Sequence, residues 1–223
     1  MEEKRLQMSE SFFLTAILAI VGGFLDSYSY LMRGHVFANA QTGNIVLLSQ
    51  NIFEHNWNTA LHYFIPLIFF ALGVAAATII RQSFQNLQRF HWRQIVLVIE
   101  IVLLFIVGFI PGNFNLIANA LVSFSCAMQV QSFRKVDNYA FASTMCIGNI
   151  RSGTEALCNY FKNHNKQMLY KALHYFGIIF LFALGSGIGS AMIVHFNLHT
   201  IWLSSLLLFI GFSIMFIEEE KSI

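Results

Sequence analysis

Of 223 residues, 57% are apolar and only 11% charged, with 24 Phe and 2 Pro, where soluble globular chains carry roughly 25% charged residues. That composition excludes an ordinary soluble domain and marks an integral membrane protein, so the net charge of +2 carries no message about nucleic acid. Three cysteines, Cys126, Cys146 and Cys158, lack metal-ligand spacing and read as reduced packing residues.

The chain opens with Lys4 and Arg5 ahead of an apolar run. No small-residue cleavage site precedes a polar mature domain, so this run is expected to be a retained span rather than a cleaved leader. Crossing about 30 Å of hydrocarbon takes about 20 helical residues, and stretches of that kind occur at roughly 12–32, 60–80, 94–111, 114–133, 172–195 and 200–217. Shorter apolar segments at about 43–53 and 148–161 each open with Gly-Asn and are too polar at their starts to be ordinary spans.

The chain repeats itself. Ala60-Leu61-His62-Tyr63-Phe64 with Phe70-Ala71-Leu72-Gly73 returns as Ala172-Leu173-His174-Tyr175-Phe176 with Phe182-Ala183-Leu184-Gly185. Phe37-Ala38 leading to Gly43-Asn44-Ile45 returns as Phe141-Ala142 leading to Gly148-Asn149-Ile150. The expected organisation is a single integral membrane domain over 1–223 with repeats at approximately 11–112 and 113–218.

Charge decides the path of the short segments. If each enters and leaves on one side, Lys4, Arg5, Arg81, Arg89, Arg93, Arg134, Lys135, Lys162, Lys166, Lys171 and Lys221 share a face, with Arg33 alone opposite. The excess of Lys and Arg on cytoplasmic loops favours that arrangement. The expected fold is therefore all-α: six transmembrane helices as two inverted three-helix repeats, each with a re-entrant half-helix, and both termini cytoplasmic.

Re-entrant segments predict a site. Half-helices starting at Gly43 and Gly148 would bring their amino ends together near the midplane, where non-helical backbone survives only if protein or a cavity satisfies it. Asn39, Gln41, Thr42 and Asn44, with Ser143, Thr144 and Asn149, supply polar partners, and Thr42 is the expected N-cap. Converging amino ends favour an anionic or polar solute. Asp26, in Gly22-Gly23-Phe24-Leu25-Asp26-Ser27-Tyr28, is an intramembrane acid suited to a proton or cation, with Gln131 as its expected counterpart; its structural alternatives are pairing with Arg33 or capping a half-helix. Arg151 would supplement the site or pair with Asp26, the alternative being an ion pair with Glu155 on the same helix.

His62 and His174 fall on opposite sides of the membrane and cannot share a metal; packing and gating both remain open to them. Gly73, Ala75, Ala76 and Ala77, matched by Gly185, Gly187, Gly189 and Ser190, are expected to let helices approach closely, and such faces could serve a dimer as readily as an internal seam. Trp57, Trp92 and Trp202 are expected at the membrane interface.

Gly22-Gly23-Phe24-Leu25-Asp26, then Val36 to Asn44 and Ala127-Met128-Gln129, make the chain resemble the YoaK-like family of bacterial inner-membrane proteins, a domain of unknown function. The resemblance spans nearly the whole chain and rests most on Phe-x-x-Asn-x-Thr-Gly-Asn. It implies a multi-pass bacterial membrane protein and supplies no substrate; Asp26, Asn39, Thr42, Gly43, Asn44 and Gln129 match the family pattern. The chain departs from it at Ile147, where Thr is usual, and at Val130-Gln131, where the family tends to Asn.

No His-Glu-x-x-His, Gly-x-Ser-x-Gly or Walker loop is present, so no enzyme, cofactor or metal is expected. The expected function is a secondary small-solute transporter in which Asp26 would couple transport to a proton or cation, with Asp26, Asn39, Gln41, Thr42, Gly43, Asn44, Gln129, Gln131, Gly148, Asn149 and Arg151 along its pathway. A passive channel is the nearest rival, and a membrane-embedded enzyme or assembly factor the rival from another class.

Overall fold

The computed structural model describes residues 12–85, 91–136, 139–140 and 144–219. Among these, eight α-helices follow in order: α1 (Phe12–Met32), α2 (Gln41–Phe53), α3 (Trp57–Phe84), α4 (Trp92–Val107), α5 (Asn115–Ser132), α6 (Cys146–Asn163), α7 (Lys166–Phe196) and α8 (Trp202–Glu219). A two-residue antiparallel pair, β1 (Lys135–Val136) with β2 (Tyr139–Ala140), lies between α5 and α6. Six helices coincide with the expected spans, and α2 and α6 with the two short segments. Phe12–Met32, Trp57–Phe84 and the stretch Lys166–Met215, which takes in α7 and most of α8, are long and apolar enough to cross a membrane. The chain is a helical membrane protein and sits in the lipid bilayer.

Local chemistry sets several boundaries. His91 and Gln94 form a reciprocal cap at the start of α4: His91 Nδ1 accepts from the Arg93 amide at 3.3 Å, and Gln94 Oε1 accepts from the His91 amide at 2.9 Å. The turns joining α2 to α3 and α6 to α7 are alike, since His55 (φ 60°) and His164 (φ 50°) both adopt the left-handed conformation just before an Asn that begins the next helix. Each short helix thereby folds back against the long helix that follows it.

The long helices pair crosswise. α1 lies along α7, and α5 lies along α3; α4 packs on α5, α1 on α8, and α4 on α8. Glycine makes the first two contacts close. A Cβ on Gly185 would overlap the Ile20 carbonyl, one on Gly23 the Phe182 carbonyl, and one on Gly73 the Phe124 carbonyl. Small residues at these positions thus serve helix approach, and Ser27 Oγ adds a bond to the Ser186 carbonyl (2.8 Å) beside a hydroxyl contact with Ser186 Oγ (2.6 Å). Gly187 meets nothing within 4 Å, so the small stripe is only partly contact.

The side chain of Gln131, the expected counterpart of Asp26, bonds Thr78 Oγ1 on α3 at 2.9 Å. Trp92, at the start of α4, is buried against Ala77, Val96 and Met128, beneath the Arg81 and Arg93 guanidinium groups at 5.8 and 5.2 Å, while Trp57 is exposed. An arginine over an indole face gains cation–π attraction, which draws the ring inward.

The main core is a set of stripes. Leu14, Leu18, Val21, Leu25 and Tyr28 of α1 meet Leu97, Leu104 and Val107 of α4, Ala118, Val122 and Cys126 of α5, and Ile201 and Leu208 from the α8 side. Filling the α1–α7 seam should break it: Gly185→Val should cost about 1–3 kcal/mol or more through overpacking, read as a lowered thermal midpoint of the detergent-solubilised chain, while Gly187→Ala should leave the midpoint unchanged or higher.

Candidate functional site

After α1 the chain does not run on outward. Residues 33–40 turn back along the helix, so that the Asn39 amide donates to Asp26 Oδ1 at 2.7 Å and Asn39 Nδ2 donates to the Gly22 carbonyl at 3.1 Å. Gly22 stands ten residues before the end of α1, about 15 Å at 1.5 Å per residue, so α2 begins about halfway along α1. The second unwound segment arrives at the same place: Thr144, just ahead of α6, presses its Cγ2 on Gly22, where a Cβ would clash. One turn of α1, Gly22 to Asp26, therefore holds the approaches to both short helices.

Side chains close the first loop. Asn44, fully buried, accepts from the Phe37 amide at 3.0 Å and donates to the Phe37 carbonyl at 2.7 Å and to Gln41 Oε1 at 2.8 Å. Gln41 Nε2 in turn donates to the Ala38 carbonyl at 2.8 Å. Asn44 and Gln41 are thus spent on shaping the loop, and Asp26 caps its amides, with those of Ala38 and Ala40 also beside the carboxyl. The expected N-cap is corrected: α2 starts at Gln41 after Ala40, and Thr42 is exposed inside the first turn. α6 likewise starts at Cys146, two residues before Gly148.

Asp26 is almost completely buried and pairs with neither Arg33 nor Arg151. Arg33, read from the sequence as the lone basic residue of the opposite face, is fully buried and clamps three elements. It donates from Nε to Tyr28 Oη (2.9 Å), from Nη1 to the Ile110 carbonyl (2.8 Å) and Asn115 Oδ1 (3.2 Å), and from Nη2 to the Val107 carbonyl (2.9 Å). It thereby adds donors to the carbonyls where α4 ends, that of Val107 also accepting from the Ile110 amide at 3.1 Å. Arg151 is exposed on α6, with no ion pair to Glu155.

The other expected site residues divide. Gln129 is buried and donates to the Leu18 carbonyl of α1 at 3.0 Å, which ties α5 to the same helix. Asn149 is buried, Gly43 is half-buried against Phe37, and Gly148 is exposed. Phe141, Ala142 and Ser143 lie outside the described residues, as do Lys4, Arg5, Arg89 and Lys221. His62 touches Gly34 and His174 stacks edge-on against Phe12 at 4.9 Å, so both make packing contacts.

Two polar atoms at this junction have no hydrogen-bond partner: Asn39 Oδ1, beside the Cys126 thiol of α5, and Thr144 Oγ1. Sequence reading missed a third feature close by. Glu100 on α4 is fully buried with neither carboxyl oxygen bonded; a lone acid inside the apolar run Val96–Val107 was the available signal.

Against this geometry, the family model described as "Protein of unknown function (DUF1275)" matches residues 14–214. The chain belongs to that family. It is similar to the UPF0700 transmembrane protein YoaK of Bacillus subtilis (strain 168), 28% identical over 208 residues, which are 88% of this chain and 90% of that protein. No solved structure matches. The matched span takes in all but the first two residues of α1 and the whole of α2 to α7, and with them the Gly22–Asp26 junction and both short helices.

Removing the loop's cap tests the local argument. Asp26→Ala leaves the Asn39 amide buried without an acceptor and should cost about 1–3 kcal/mol, whereas Asp26→Asn, whose carbonyl can still accept, should cost less; thermal midpoints in detergent measure both.

Proposed function

We propose that the protein is a small-solute membrane transporter of the secondary type, with six spans in two inverted repeats and re-entrant helices α2 and α6. In this reading it lies in the bacterial inner membrane with both termini in the cytoplasm, and its solute site is the junction where the two unwound segments meet α1. The carrying observation is that Asn39 and Thr144, one from each half, both contact Gly22 at mid-helix while Asp26 stands one turn away. Irregular backbone at that depth is tolerated where it is buried in protein or lines a cavity, and meeting points of discontinuous segments from two halves are where transporters of this plan hold their substrates.

The crosswise pairing of helices supports the repeat. Exchanging the halves turns α1 with α7 into α5 with α3, α2 with α3 into α6 with α7, and α4 with α5 into α8 with α1. These pairings are all contacts of the fold, as a two-fold relation between halves requires. The distribution of Lys and Arg along the sequence supports cytoplasmic termini.

The solute class follows from the unspent groups. Asp26 already occupies the place an anion would take at the amino end of α2, so an anion gains little there. Asn39 Oδ1 and the Thr144 hydroxyl offer an acceptor and a donor-acceptor pair. A small polar solute with both donors and acceptors, moved with a proton or cation, fits that set best.

Reconstituted vesicles carrying an imposed pH gradient and exposed to a panel of labelled polyols, amides, amino acids and organic acids test this. The wild-type chain should accumulate at least one polar member, Asn39→Ala should lower its uptake tenfold or more, about 1.4 kcal/mol, and Arg151→Gln should leave it unchanged. Folded wild-type protein that moves no member of the panel would overturn the transporter reading.

A further inference from the structure

The core of α1, α4, α5 and α8 contains an acidic group that the loop junction does not use. Glu100 lies on the stripe of α4 that carries Leu97, Leu104 and Val107, all members of the main apolar cluster, and is itself 0% exposed. No donor reaches either carboxyl oxygen. A bare carboxylate in such surroundings is prohibitively costly, so a buried acid is held neutral, paired or bound to a cation.

Among the described residues no partner stands ready for it. On α1 the titratable groups toward this core are Asp26, spent on the Asn39 amide, and Tyr28, spent on Arg33 and the Leu198 carbonyl. On α5 it is Cys126, which lies within electrostatic reach of both Glu100 and Asp26. On α4 itself, Arg93 sits two turns earlier with Nε on the Ser132 carbonyl, and Arg33 is committed to the end of the same helix. On α3, Arg81 lies over Trp92, and the buried polar groups of α8 are the hydroxyls Ser204 and Ser205. A metal cation would need several oxygens around it at roughly 2.0–2.6 Å, and among the described residues no group of three or more His, Cys, Asp or Glu side chains is assembled to hold one. A proton needs no such shell.

We propose that Glu100 is a proton-binding site of the helix core, loaded in the present conformation, and the group through which solute movement is coupled to the proton gradient. The exchange is a simple one: the Glu100 acid gives its proton to water or to the Asp26 carboxyl across Cys126, and takes one back. The binding half stands on burial and geometry alone; the coupling half rests on the transporter reading.

Infrared difference spectra of the purified full chain in heavy water, taken across a pH series, read the binding half. A protonated-carboxyl stretch should be present in the wild type, kept in Asp26→Asn and lost in Glu100→Gln, whose neutral amide preserves shape. Should Glu100→Gln fail to fold, Glu100→Asp should move the band instead of removing it. A wild type without that band, or a band indifferent to position 100, overturns the site. In vesicles, Glu100→Gln should still exchange solute across the membrane but lose accumulation driven by the pH gradient; undiminished accumulation overturns the coupling. A Glu100 band in protein that moves no solute would leave the proton site standing and count only against transport.

Discussion

Every backbone amide and carbonyl that leaves a helix inside hydrocarbon must find its partner within the protein, and the arrangement of this chain follows from how that demand is met between α1 and α2. The loop 33–40 returns along α1 instead of running on from its end. It can do so because Asp26 takes the Asn39 amide, Asn44 takes both the amide and the carbonyl of Phe37, and Gln41 takes the carbonyl of Ala38. Removing these side chains would leave several buried polar groups open at once, at about 1–3 kcal/mol each. The polar residues of this segment are therefore first of all a scaffold, and Asn39 Oδ1 is the atom of that scaffold left without a hydrogen-bond partner.

The same demand explains Arg33. Its five donors in a fixed fork collect the carbonyls of Val107 and Ile110 where α4 gives way to the turn before α5, and Tyr28 braces it from α1. A basic residue that looks like a topological marker is in fact a joint between three elements. Glu100 is the contrast, since it has no such partners, and that is why it rather than Arg33 or Asp26 stands out as a group able to change its protonation state.

Close helix contact brings these parts to one depth. Gly23 and Gly185 let α1 and α7 touch backbone to backbone, and Gly73 does so for α3 and α5. With α7 held against α1, the segment that precedes α6 reaches Gly22, and the two halves meet at a single turn. Without the glycines the spans would stand further apart and Thr144 would not arrive there.

By itself the sequence determined the membrane class and the positions of the six long helices and two short ones, and it displayed the recurring motifs, because apolar length and motif recurrence are local properties. It also marked Asp26, Asn39, Asn44 and Gln129 as polar groups in an apolar chain. Only the tertiary structure decided what each does: that Thr42 is outside the loop's hydrogen bonding, that Asp26 caps the loop, that Gln131 belongs to Thr78, that Arg151 is exposed, and that Glu100 is bare. Those roles depend on which carbonyl or amide lies within about 3 Å, and that distance is set by crossing helices far apart in sequence, not by the spacing of residues along one of them.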